Sequence, residues 1–220
     1  MVSTKVTVVE KILSTNDRLA GINRQNLSDH GVLGINLMAS PGAGKTSFIL
    51  ETIKRMKVNY KIGVIEGDTA PVTIDADKIT AAGMPAVQIN TGGDCHLDAS
   101  MVADGLNQLP LDLIDLLIVE NVGNLICPAA WDLGTHLSLL VASIPEGDDK
   151  PYKYPNIYRG LNVLIINKVD LKPYVQFDME YFRKGVEMLN PGLVTFAVSC
   201  RTGEGFDNWI EWLKHRISLK

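Results

Sequence analysis

Three groups of residues in this chain could do chemistry. In "LMASPGAGKTSF", Gly42 and Gly44 free the backbone to close its N–H groups around a phosphate, and Pro41, Ala43 and Ser47 complete the loop. Lys45 could reach the β- and γ-phosphates, and the Thr46 hydroxyl could ligate Mg²⁺. The full pattern G-x-x-x-x-G-K-[ST] asks for glycine where the chain has Ala39, a departure that leaves the later N–H donors untouched. Farther along, "NKVD" (167–170) ends an apolar run. Asp170 could accept both the N1–H and the exocyclic amino protons of guanine, a two-point contact that adenine cannot offer. Asn167 could support the base edge and the Lys168 stem could pack over the ring. In "SCRTG" (199–203), Ser199 and Cys200 stand where a backbone N–H could meet the guanine O6. In this order the motifs predict GTP or GDP as ligand rather than ATP.

The third group is Cys95 and His96 in "TGGDCHLDAS", with Cys127 in "NLICPAA". They are either metal ligands or a buried thiol with a chance neighbour. Adjacent side chains point about 100° apart on a helix, so one ion takes both only through an irregular loop or across two chains. Gly92 and Gly93 permit the irregularity, and Pro128 predicts an extended presentation of Cys127. One Cys-His-Cys set is a donor short of a closed tetrahedral zinc site, whereas two sets across a twofold axis give six donors. Thiolate and imidazole accept both Zn²⁺ and Ni²⁺, and the sequence does not choose between them. Asp94 and Asp98 are candidates to orient His96.

Positioning these groups requires strands that end beside one another. β-Branched or leucine-rich runs at 32–40, 60–68, 85–90, within 111–123, and at 136–143, 161–170 and 193–200 alternate with helical stretches at 45–57, 71–82, 97–108, 178–189 and 204–216. That alternation, with runs apolar on both faces, predicts an α/β fold with a mostly parallel sheet covered by helices on both sides, its ligands at the carboxyl ends of the strands. Residues 1–29 read as an N-terminal amphipathic helix packed on the domain, with apolar positions at Val6, Val9, Ile12, Leu13, Leu19 and Ile22; residues 30–220 read as the single domain carrying every site. The segment 144–160, rich in Pro, Gly and charge, reads as one long loop.

With 220 residues, 46% of them hydrophobic, the chain can bury a full core. A net charge of −4 with scattered basic residues argues against nucleic acid as a partner. The absence of a leader pattern and of about 18 consecutive apolar residues predicts a cytoplasmic protein with no membrane partner. Three cysteines at wide spacing make no disulfide framework and are expected to act as thiols.

The motifs "SPGAGKTS", "EGDTAPVTIDADKI", "NTGGDCHLDA", "IVENVGNLICPAAWDLG", "EGDDKPYKYP" and "NKVD", in this order, resemble the HypB family, the nickel-insertion GTPases of [NiFe] hydrogenase, related to UreG among the P-loop GTPases of SIMIBI type. The resemblance runs from about residue 30 to the end. It implies slow GTP hydrolysis, dimerisation on GTP binding, and a Ni²⁺ or Zn²⁺ site at Cys95, His96 and Cys127. It also implies partners among other hydrogenase maturation proteins and the hydrogenase large subunit. Where related strands end in an acid followed by x-x-Gly, this chain has Glu120 and Gly123. Glu120 could hold Mg²⁺ or place the attacking water, and Gly123 could offer its N–H to the γ-phosphate. By the same resemblance Asp68 and Asp75 are candidates for the Mg²⁺ and water contacts, and Lys153 for a contact across the dimer. Some relatives carry an extra Cys-rich or His-rich nickel-binding tract. The first cysteine here is Cys95, which favours transfer or regulation over storage. Rival readings are a GTPase serving urease or a cobalamin enzyme, and a metal-binding protein in which GTP is only structural.

Overall fold

The structure, a computed structural model, describes residues 4–69 and 74–220, and the side chains of the first helix from residue 14 onward. The described residues place seven strands: β1 (Leu33–Ala39), β2 (Ile62–Asp68), β3 (Ala86–Asn90), β4 (Leu116–Glu120), β5 (Leu137–Ser143), β6 (Val163–Asn167) and β7 (Val194–Ala197). All are parallel, in the order β3-β2-β4-β1-β5-β6-β7. The helices are α1 (Thr4–Asp29), α2 (Lys45–Met56), α3 (Ile74–Ala81), α4 (Ala99–Leu106), α5 (Lys150–Lys153), α6 (Pro155–Arg159), α7 (Met179–Leu189) and α8 (Phe206–Ser218). The α/β architecture expected from the alternating pattern is thus present, with helices on both faces.

Strand alternation divides the core. Ile35, Leu37, Leu139, Val141 and Ile165 point to one face, where α2 and α8 bring Phe48, Ile53, Trp209 and Leu213. The opposite face is covered in two halves. Leu117 and Val119 meet Leu27 of α1 and Val102 and Leu106 of α4, while Leu140, Leu164 and Ile166 meet Ile157, Tyr158, Phe182 and Val186 of α6 and α7. Between those halves a cavity of about 400 Å³ remains, reaching Asn36 and Met38 of the central strand.

Three expectations need correction. The segment 144–160 is built of a 3₁₀ turn at Ile144–Glu146 followed by α5 and α6, because its prolines stand at the first positions of short helices and Ile157 and Tyr158 enter the core. On α1, Val6, Val9, Ile12 and Leu13 lie outside the described side chains, and Ile22 is 54% exposed. The buried face is instead Asn16, Ala20, Asn23 and Leu27. Cys127 opens a 3₁₀ turn, Cys127–Ala130, rather than an extended segment, since proline is tolerated where the first N–H needs no partner. Of the helix expected over 71–82, residues 71–73 lie outside the described residues.

Candidate functional site

β1 runs without a break into the turn Ser40–Gly44 and then α2. Gly42 and Gly44 take φ of 77° and 102°, conformations that would strain other residues. The loop and the neighbouring strand ends line a cleft of about 530 Å³ that collects Lys45, Thr46, Glu66, Asp68, Asp75 and Glu120. Thr46 Oγ1 stands 3.1 Å from both Asp75 Oδ2 and Glu120 Oε1, and Lys45 Nζ is 4.0 Å from Glu120. Gly123 passes so close to the loop that a Cβ there would lie 3.2 Å from Pro41.

Parallel pairing of β2 with β4 sets Glu66 opposite Glu120. They are 4% and 3% exposed. Burial pushes the Glu66 carboxyl up to about 7, with Glu120, Asp68 and Asp75 adding repulsion. Burial likewise raises Glu120 to about 7 against the pull of Lys45 and the Thr46 hydroxyl. The Oε2 atoms of both have no hydrogen-bond partner among the described residues. Converging hard oxygens, two of them buried without a donor, fit a Mg²⁺ ion.

At Gly44 and Ser47 this cleft meets a second one of about 340 Å³, lined by Asn167, Lys168, Asp170, Leu171, Cys200 and Arg201. Asn167 ties three loops together. Its Nδ2 donates to Ala43 O at 3.0 Å, and its Oδ1 accepts from Lys168 N at 2.8 Å and from Cys200 N at 3.3 Å. Lys168 is the one non-glycine residue with positive φ among the described residues, and its ammonium donates to Gly42 O at 2.6 Å. Ser199 Oγ donates to Asp170 Oδ1 at 2.6 Å, fixing the carboxylate that faces the cleft. Burial pushes the Cys200 thiol up to about 11, so it stays a neutral packing group here.

Past β3, residues 91–98 form an irregular loop, with Gly92 and Gly93 both at positive φ. There the Cys95 and His96 side chains converge with Cys127, their donor atoms all within 4.8 Å of one another. Cys95 Sγ lies 3.8 Å from His96 Nδ1. A hydrogen bond with the Cys127 thiol and burial hold the Cys95 thiol above its ordinary range. All three residues are half-buried.

Several neighbours escaped sequence reading. The Trp131 ring stacks on His96 at 4.6 Å. Asp98, a candidate from the sequence, is the N-cap of α4 and accepts from Met101 N through Oδ1. Asn121, fully buried and next to Glu120, accepts from Leu97 N at 3.0 Å and Val122 N at 2.9 Å, and donates to Asn36 Oδ1. Asn124 donates to Cys95 O. A spacing signal existed for Trp131, an aromatic four residues after Cys127; none marked the asparagines. Lys153 lines neither nucleotide cleft and is ion-paired with Asp149.

A parallel sheet whose central strand feeds a glycine loop, with a base cleft on one side and paired carboxylates on the other, defines a P-loop nucleotide-binding protein. Residues 34–196 match the model of the CobW/HypB/UreG nucleotide-binding domain. The chain belongs to this family, and within it to the HypB branch. It is 45% identical over 203 residues to the hydrogenase maturation factor HypB of Escherichia coli K12, covering 92% of this chain and 70% of that one. Among solved structures, HypB of Archaeoglobus fulgidus superposes with a TM-score of 0.87 at 38% identity, covering 93% of this chain and all of that one. HypB of Helicobacter pylori in complex with nickel gives a TM-score of 0.88 at 34% identity, covering 93% and 95%.

Proposed function

We propose that the chain is a slow GTPase and nickel chaperone that assists nickel insertion into [NiFe] hydrogenase, working in the cytoplasm with other maturation proteins and the hydrogenase large subunit. The observation that carries this reading is that one short segment serves both sites. Glu120 sits in the phosphate cleft, Cys127 in the thiol–imidazole cluster, and Asn121 between them holds the backbone beside His96. A relative's nickel complex supports the choice of Ni²⁺ as cargo, and Zn²⁺ suits the same donors.

Asp170, Asn167, Lys168, Ser199 and Cys200 select and seat guanine. The N–H groups from Gly42 to Ser47 and the α2 N-terminus bind the phosphates, with Lys45 reaching the β- and γ-groups. Thr46, Asp75 and Glu120 would hold Mg²⁺, which neutralises charge on the phosphates when bound. Asp68 and Asp75 position water, and Gly123 presents its N–H to the γ-phosphate. When GTP draws Gly123 inward, the move shifts Cys127 and Asn121 and so resets the cluster. Two chains paired by GTP bring six Cys and His donors together, with Lys153 reaching the partner. The test is Ni²⁺ affinity and dimer population with GDP and with a non-hydrolysable GTP analogue, for wild type and Cys95→Ala. Expected is a nickel affinity and dimer fraction that change with nucleotide and a loss of nickel in the variant. Equal values with both nucleotides would refute the switch.

A further inference from the structure

The two chain segments that supply the metal donors each send one leucine into the core, Leu97 and Leu133, and touch one another through Asn121, Asn124 and the stack of Trp131 on His96. The arm that follows Cys127 runs over the 400 Å³ cavity between the two halves of the covered face, and Ala129, Trp131 and Asp132 form part of its wall. Between Pro128 and Leu133, which are buried, hydrophobic packing therefore supports this arm only at its ends. α1 adds a further bridge between the two segments. Asn16 Oδ1 accepts from Ala99 N at 2.9 Å, three residues beyond His96, while its Nδ2 donates to Asp132 O at 2.9 Å. Asn23 Nδ2 donates to Ala99 O at 2.8 Å and to Leu133 O at 3.1 Å. Both side chains are buried, and each touches both arms. Gly134 lets the second arm approach this closely, since a methyl group there would overlap Ala20 O and Asn23 Cβ. Arg24 adds a two-oxygen ion pair with Asp132 on the same side.

We infer that Asn16 and Asn23 are positioning residues for the metal cluster: α1 is a strut whose seating sets the separation of the Cys95–His96 loop from the Cys127 arm. The inference rests on the reading of Cys95, His96 and Cys127 as nickel donors. Its corollary is reciprocal. An ion that draws the two arms together tightens α1, and anything that lifts α1 loosens the ion.

The experiment uses the full chain with Ni²⁺ alone. Asn16→Asp keeps the acceptor for Ala99 N–H but turns the donor to Asp132 O into a buried carboxylate oxygen that repels it, whereas Asn23→Ala removes both bridging bonds. Ser28→Ala weakens the far end of the same helix, where the hydroxyl meets His136 and Arg24 O, and touches neither arm. Nickel affinity by competition, the thiolate-to-nickel absorption band and amide exchange across 14–27 are read for each protein. Expected are a loss of about tenfold or more in affinity with an altered band for both asparagine variants, and wild-type values for Ser28→Ala; groups that orient metal ligands typically count for about 10- to 100-fold. Nickel should slow exchange along α1 in the wild type. Wild-type affinity and band in both asparagine variants would overturn the strut, as would an equal loss in Ser28→Ala. If the asparagine variants do not fold, wild-type exchange along α1 that ignores nickel overturns it alone. Nickel bound equally by Cys95→Ala would refute the cluster itself, and with it the strut.

Discussion

Replacing Gly44 and Gly42 by alanine in turn separates two costs that a phosphate loop normally confounds. Both glycines have positive φ, so each substitution forces an L-residue into the left-handed region at roughly 1–2 kcal/mol. Around Gly42 nothing lies within 4 Å of the added methyl, and that cost stands alone. At Gly44 the methyl would lie 2.5 Å from Asn167 Nδ2, the atom that donates to Ala43 O. The amide can retreat only by giving up that bond and disturbing those from Lys168 N and Cys200 N. A buried hydrogen bond left unmade costs about 1–3 kcal/mol. Gly44→Ala should therefore cost about 2–5 kcal/mol, and exceed Gly42→Ala by about 1–3 kcal/mol. Urea unfolding of nucleotide-free protein, at a slope of about 2–3 kcal/mol per M, should separate the two midpoints by about 0.3–1.5 M. Coincident midpoints would refute the claim that Asn167 is clamped rather than free to swing. Gly44→Ala should also lose GDP affinity.

Nickel should quench Trp131 fluorescence, leaving emission from Trp209 and Trp212, which stack on each other in α8. Trp131→Phe should remove the quenched fraction, and Trp131→Ala should weaken nickel about two- to tenfold, the worth of one aromatic stack; unchanged quenching in Trp131→Phe would refute the contact. His136 Nδ1 accepts from Gly34 N at 2.9 Å, so the ring must be neutral, and burial, then Arg24 and Lys220, lower its pKa from 6.5. Its contribution to stability is whole above 6.5 and declines as pH falls below that value, so urea midpoints of wild type and His136→Asn should diverge less at pH 5.5 than at 7.5. Thr52→Val strips the acceptor from the buried Trp209 indole N–H and should cost about 1–3 kcal/mol, readable in the same unfolding assay.

The parts legible in the sequence are those where one residue carries its own constraint. Gly42, Gly44 and Lys45 between a strand and a helix, Asn167 to Asp170 after an apolar strand, and Cys95 beside His96 after two glycines announce themselves by residue type. The structure brings Cys127 to the last of these across a wide gap in sequence. The sheet order is not written locally, because a strand's neighbours depend on long-range pairing. On α1 the periodicity fails at Ile22, which faces solvent, because the docking face mixes Ala20 and Leu27 with two hydrogen-bonding asparagines that carry no apolar signal. It failed differently at 144–160, where proline and charge mask two helical turns anchored by Ile157 and Tyr158. Glu66 is one acid among several in "EGDTAPVTIDADKI"; its pairing with Glu120 appears only once β2 lies beside β4.

The strut also has a place in time. α1 precedes every strand in the chain, yet the partners of Asn16 and Asn23 lie 76 to 116 residues downstream. Contacts of such separation close late, after local helices and neighbouring strands have formed. At about 5–20 residues per second, the ribosome takes on the order of ten seconds to travel from one end of that brace to the other. During synthesis Cys95 and His96 therefore emerge first and Cys127 follows, and Asn16 and Asn23 of the helix made before them all find their last partner only at Leu133, while residues 167–170 and 199–200 at the base cleft are still to come.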